Sequence, residues 1–139
     1  MADETFFTVI GCMDGRCVDP IKEFGKKEFA AQYADTITEP GIVGILSSEP
    51  SADFIANLKN KIEISLNKHK SKGIIIDGHA ECAGDPVSDD EQKKQINGSV
   101  KFIRNLINDR VPVVGIFIHR CPKHFHEWEA DKLMLSASL

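Results

Sequence analysis

The chain lacks a surplus of positive charge, a basic leader and any long apolar run. Its 17 Lys and Arg stand against 21 Asp and Glu, a formal net charge of −4. No basic excess is left to track a phosphate backbone, so nucleic acid is not expected as a partner. The first residues, Met1-Ala2-Asp3-Glu4, are acidic where a secretory signal would be basic. No apolar stretch approaches the roughly 18 residues needed to cross a bilayer, so no membrane partner is expected either. A soluble, cytoplasmic protein is the expectation. Internal repeats, low-complexity tracts and linkers are also missing. The 139 residues are expected to form one domain, 1–139, large enough to bury a real core. A Cys-x-x-Cys pair is absent as well, since Cys12 and Cys17 stand too far apart, which removes the redox-pair reading. The four cysteines of a cytoplasmic chain then read as metal ligands, catalytic groups or buried filler rather than disulfide partners.

What is present is an alternation of short β-branched runs and longer amphipathic segments. Phe6 to Gly11 (FFTVIG) predicts a buried strand ending at Cys12. Asp19-Pro20 offers an N-cap followed by proline at a first helical position, opening a helix that carries Ile21 and Phe24. Thr36 to Thr38 is a short strand candidate, stopped by Pro40-Gly41. Ser51 can cap a long helix whose Phe54, Ile55, Leu58, Ile62 and Leu66 recur at helical steps. Gly73 to Gly78 (GIIIDG) reads as a parallel strand buried on both faces. Ser88 to Glu91 is a capping box opening a helix with Ile96, Val100, Ile103 and Ile107 on its inner stripe. Val113 to Ile118 is a fourth strand, and Lys123 to Leu135 is expected to be a closing helix. The fold class that follows is α/β: one domain, a central, mostly parallel four-stranded sheet with helices on both faces.

Ligands of such sheets gather beyond the carboxyl ends of strands whose connections leave in opposite directions. Two strand ends carry chemistry, Cys12 in "CMDGR" and His79 in "GHAECAGD". His79 and Cys82 are spaced so that an imidazole and a thiolate from one turn can reach one ion. With Cys12 they make a donor set that suits tetrahedral zinc and leaves a fourth position for water. If the opening stretch stays extended, Cys12, Asp14 and Arg16 project to one side, with Gly15 giving the backbone room to turn. Asp14, gripped by Arg16, would stay ionised and could accept a hydrogen bond from that water. Cys17 would then point away from this face as a buried thiol. His124 and His126 sit on the expected closing helix two positions apart, where they share no face. Trp128 and Phe125 are candidates to cover an apolar surface, and the lysines between Lys59 and Lys72 read as a wet helix face.

The pair "CMDGR" and "GHAEC" resembles the β-class carbonic anhydrase family, whose signature is Cys-x-Asp-x-Arg followed by His-x-x-Cys at two parallel strand ends. The order of elements is similar over most of the chain. The resemblance implies one zinc ion per chain on Cys12, His79 and Cys82, with Asp14 and Arg16 as a catalytic dyad. It also implies reversible hydration of carbon dioxide to bicarbonate, and a homodimer or higher even oligomer. Backbone N–H groups of Ala83 or Gly84 are the expected donors to the nascent bicarbonate. Departures concern the surroundings: Thr38-Glu39-Pro40-Gly41 stands where members carry Arg-Asn-Ala-Gly, and Ala83-Gly84 follows Cys82 where they carry Gly-Gly. No glutamine precedes the first strand, and Ile64 falls where many members have tyrosine. Carbonyl sulfide or carbon disulfide as substrate, and a zinc protein without hydratase activity, remain as alternative readings.

Overall fold

The computed structural model describes residues 4–134. Strand β1 (Phe6–Gly11) is followed by a 3-10 turn (Gly15–Cys17), helix α1 (Val18–Phe29) and strand β2 (Tyr33–Thr38). Next come the short helix α2 (Ile42–Leu46), helix α3 (Ala52–Asn67) and strand β3 (Ile74–His79). Helix α4 (Asp89–Leu106) leads to a closing hairpin of β4 (Val113–Arg120) and β5 (Trp128–Leu133). The sheet order is β2-β1-β3-β4-β5, with every pairing parallel except β4 with β5.

Two interiors flank the sheet. Ile10, Ile74, Ile76 and Phe117 meet α2, α3 and α4 through Ile42, Leu58, Ile62, Ile96, Val100 and Ile103. On the opposite face Phe7, Val9, Ile75, Ile116 and Ile118 pack with Cys17 and Ile21 around α1. The helical stripes read from sequence are therefore the buried ones, and both caps form: Ser51 accepts from the N–H of Phe54, and Ser88 from the N–H of Glu91.

Four expectations are corrected. The sheet has five strands, not four, because the segment expected as a closing helix from Lys123 is an irregular loop and then β5; Leu135 lies outside the described residues. His124 and His126 consequently lie in that loop. Helix α1 begins at Val18 behind Cys17, so Asp19 and Pro20 fall inside its first turn rather than at its cap. Nor does the chain stay extended after Cys12: Asp14 is the N-cap of the 3-10 turn and accepts from the N–H of Arg16. A short turn rather than strand alternation brings Asp14 and Arg16 together. Helix α2, only five residues long, had no separate sequence signal.

Connections leave β1 toward β2 and leave β3 toward β4, in opposite directions, although β1 and β3 are neighbours. This is the switch point of the sheet, and Cys12 and His79 stand at its two strand ends.

Candidate metal centre

Cys12 follows β1, His79 closes β3, and Cys82 lies one turn further on. The Sγ atoms of Cys12 and Cys82 are 3.8 Å apart without a disulfide. These sulfurs and a His79 ring nitrogen all lie within 4.8 Å of one another, and the three residues are buried. The His79 Nδ1 atom is 2.8 Å from the carbonyl oxygen of Ala80. A carbonyl only accepts, so Nδ1 carries the proton and Nε2 the lone pair. Nε2 is buried and has no hydrogen-bond partner. A buried, unpartnered lone pair beside two sulfurs is the arrangement a metal ion resolves, and thiolate with imidazole suits zinc or copper rather than magnesium or calcium.

Peptide groups support the sulfurs. The N–H of Gly41 points at Cys12 Sγ, 3.5 Å away. Gly41 has φ of +59°, and a Cβ there would lie 2.6 Å from the carbonyl oxygen of Gly84. Both the left-handed backbone and the close approach of the two loops call for glycine. Burial and the neighbouring Cys12 sulfur push the Cys82 thiol up, against the N–H groups of Gly84 and Asp85, which face it and pull it down. Cys17 is 1% exposed, packs under α1 and is not among the three converging donors; burial pushes its thiol far up.

Asp14 and Arg16 meet in a fork. Arg16 Nε and Nη2 approach Asp14 Oδ1 and Oδ2 at 3.0 and 2.7 Å. These hydrogen bonds, more than any other influence, hold the Asp14 carboxyl down to about 2. Asp14 Oδ2 is 4.0 Å from His79 Nδ1, so the carboxylate stands next to the candidate ligands without being one of them.

A cavity of about 530 Å³ opens beside this group, with Cys12, Asp14, Thr36, Thr38 and Asp77 in its wall. Asp77 was hidden in the apolar run of β3. It is 1% exposed, its Oδ1 is 3.4 Å from the N–H of Cys12, and its Oδ2 has no partner. Burial raises its carboxyl to about 7. Glu81, Arg120 and Trp128 also gather at Arg16, a grouping that sequence reading missed because Arg120 and Trp128 come from the unforeseen hairpin.

The sequence profile of a family described as "Putative carbonic anhydrase" matches residues 2–131, and the chain belongs to that family. No curated protein sequence matches it. Among solved structures it is similar to β-carbonic anhydrase isoform I of Trichomonas vaginalis, with TM-score 0.59 and 17% identity over 97% of this chain and 86% of that one. A β-carbonic anhydrase of Aspergillus fumigatus superposes with TM-score 0.58 and 15% identity over 94% and 76% of the two chains. A tetrameric β-carbonic anhydrase of Sordaria macrospora gives TM-score 0.54 and 18% identity over 86% and 77%. These likenesses establish the α/β fold. Among the described residues no helix is long and apolar enough to cross a membrane.

Proposed function

We propose that the chain is a zinc-dependent carbonic anhydrase that interconverts carbon dioxide and bicarbonate. The observation that carries this reading is the Asp14 carboxylate, gripped by Arg16 on two oxygens and with Oδ2 4.0 Å from His79 Nδ1, on the same ring whose Nε2 keeps a free lone pair among the candidate donors. A purely structural metal site has no use for an ionised carboxylate held at that place. Cys12, His79 and Cys82 would hold the ion, whose Lewis acidity makes water a nucleophile near neutral pH.

The remaining work falls to the chain. The Nδ1–H of His79, bound to the Ala80 carbonyl, keeps the ring turned so that Nε2 faces the sulfurs. The Gly41 N–H stabilises charge on Cys12 sulfur. Asp14, an acceptor only, takes the O–H of the attacking water and so aims an oxygen lone pair at the carbon of the substrate. Arg16 prevents the carboxylate from rotating away. The Gly84 N–H is directed at Cys82 sulfur; of the two N–H groups expected to serve the developing bicarbonate oxygen, that of Ala83 is the other candidate. The family resemblance supports a homodimer or a higher even oligomer, and the free cysteines suit a reducing cytoplasm.

Stopped-flow hydration of carbon dioxide by metal-assayed protein tests the proposal, with Asp14→Ala as control and carbonyl sulfide run in parallel. Hydration at one zinc per chain supports it. Zinc at that ratio with turnover of neither gas sinks the enzyme reading, and turnover of carbonyl sulfide alone reassigns the substrate.

A further inference from the structure

Arg16 is bound on more sides than its pairing with Asp14 requires. Its Nη2 also donates to the backbone carbonyl of Glu81 at 3.2 Å, and its Nη1 lies 3.5 Å from Glu81 Oε1. Its Cζ stands 4.5 Å from the centroid of the Trp128 ring. Arg120 converges on the same two residues. Its Nε and Nη2 approach the Glu81 carboxylate at 2.8 and 3.1 Å, and its Cζ is 4.7 Å from the Trp128 centroid.

Two guanidinium groups brought this close repel each other, and the Glu81 carboxylate and the indole face offset that repulsion. Glu81 reaches the position because its backbone is left-handed, with φ of +60°, a conformation that costs a non-glycine residue energy. The hairpin is equally prepared. Arg120 and Trp128 are cross-strand partners, Arg120 Nη1 donates to the Phe125 carbonyl at 3.0 Å, and the loop is closed by Cys121 N–H to Glu127 and Glu127 N–H to His124. Single exposed ion pairs are weak, but a planar, multiply bonded cluster fixes an orientation that one pair cannot.

We propose that Glu81, Arg120 and Trp128 are positioning residues for Arg16: the β4–β5 hairpin and the turn between His79 and Cys82 together set its guanidinium, and through it the carboxylate of Asp14. The inference rests on the carbonic anhydrase reading for its catalytic consequence, not for the contact itself. Two parts of the chain remote from β1 thereby determine how freely Asp14 turns. A cluster that only fastened the hairpin to the body of the domain would make its loss felt without reference to Arg16.

Trp128 is the only tryptophan of the chain, so its emission reads the contact directly. In zinc-loaded protein, Arg16→Ala and Arg120→Ala should each red-shift that emission as the ring loses its cover. Trp128→Ala should lower kcat for carbon dioxide about tenfold with zinc content and KM unchanged, and Trp128→Phe should restore most of it. Glu81→Gln, which keeps the shape of the side chain, should lower kcat in the same direction. In an Arg16→Ala background Trp128→Ala should have no further effect. Unchanged emission in Arg16→Ala overturns the proposal, as does a Trp128→Ala loss that is equally large with and without Arg16. Protein that turns over no substrate would sink the proposed function, and the emission shift alone would then decide whether Arg16 is held on the ring.

Discussion

Asp14 and Asp77 line one cavity and are driven in opposite directions, the first held down to about 2 by Arg16, the second raised to about 7 by burial. Environments that separate two carboxyl groups in this way assign them different work. Asp14 is the group expected to stay ionised throughout the working range. Asp14→Ala should therefore reduce kcat/KM for carbon dioxide hydration by roughly a hundredfold while the bound zinc is retained, as measured by stopped flow beside metal analysis. Asp77 has the opposite consequence for stability. Its folded value lies above the ordinary 3.8, so between about pH 4 and 7 the unfolded chain releases this proton while the folded chain keeps it. Stability of the metal-free protein should fall as pH rises through that window and level off above it. Asp77→Asn should flatten that slope and raise stability at pH 8 by on the order of 2 kcal/mol, read from urea unfolding at several pH values.

Among the elements, β1, β3, β4, α3 and α4 were legible because packing and periodicity agree in them: continuous apolar runs became central strands, and capped stripes became the buried faces. Where local preference and tertiary pairing disagree, the sequence misled. The β5 stretch Trp128–Leu133 (WEADKL) is rich in helix formers, yet it pairs with β4 at the sheet edge, where charged side chains are tolerated. Cys12 to Arg16 reads as extended because chemistry-bearing side chains stand at every second position, whereas Asp14 caps a turn using the same carboxylate that grips Arg16. The closeness of the three candidate donors was legible, since Cys12 follows β1, His79 ends β3 and Cys82 is three positions further along the same turn. Asp77 and the Arg120–Trp128 pair were not, the first masked by an apolar run, the second dependent on the hairpin. The junction of β1 and β3 is tight: a Cβ on Gly11 would lie 1.6 Å from Asp77 Oδ2. Gly11→Ala should lower stability by roughly 1–3 kcal/mol in denaturant titration, since strand backbone and a buried carboxyl must both move. Cys12→Ser or Cys82→Ser should instead leave the strands in place and reduce zinc from near one per chain to near zero by metal analysis.

At the scale of the whole molecule, sequence identities of 15 to 18% with the solved structures are low, while the coverage of this chain is 86% or more. The architecture has been kept and its contents exchanged. Light scattering of the purified protein should give a mass of at least twice 15.4 kDa, as expected for a homodimer or higher even oligomer. The division of the candidate donors between strands has a consequence for how the protein is made. Cys12 and Cys82 are 70 positions apart and meet only because β1 lies beside β3 in the finished sheet. Of the three candidate donors, only His79 and Cys82 are close in sequence in an unfolded chain. A metal held by all three would therefore find its complete site only after β1 and β3 have paired. Such an ion would act as a late bolt across the middle of the sheet, set only once the first strand has met the third. Loss of zinc on heating should coincide with loss of the sheet rather than precede it, so a chelator dye and circular dichroism should report one transition.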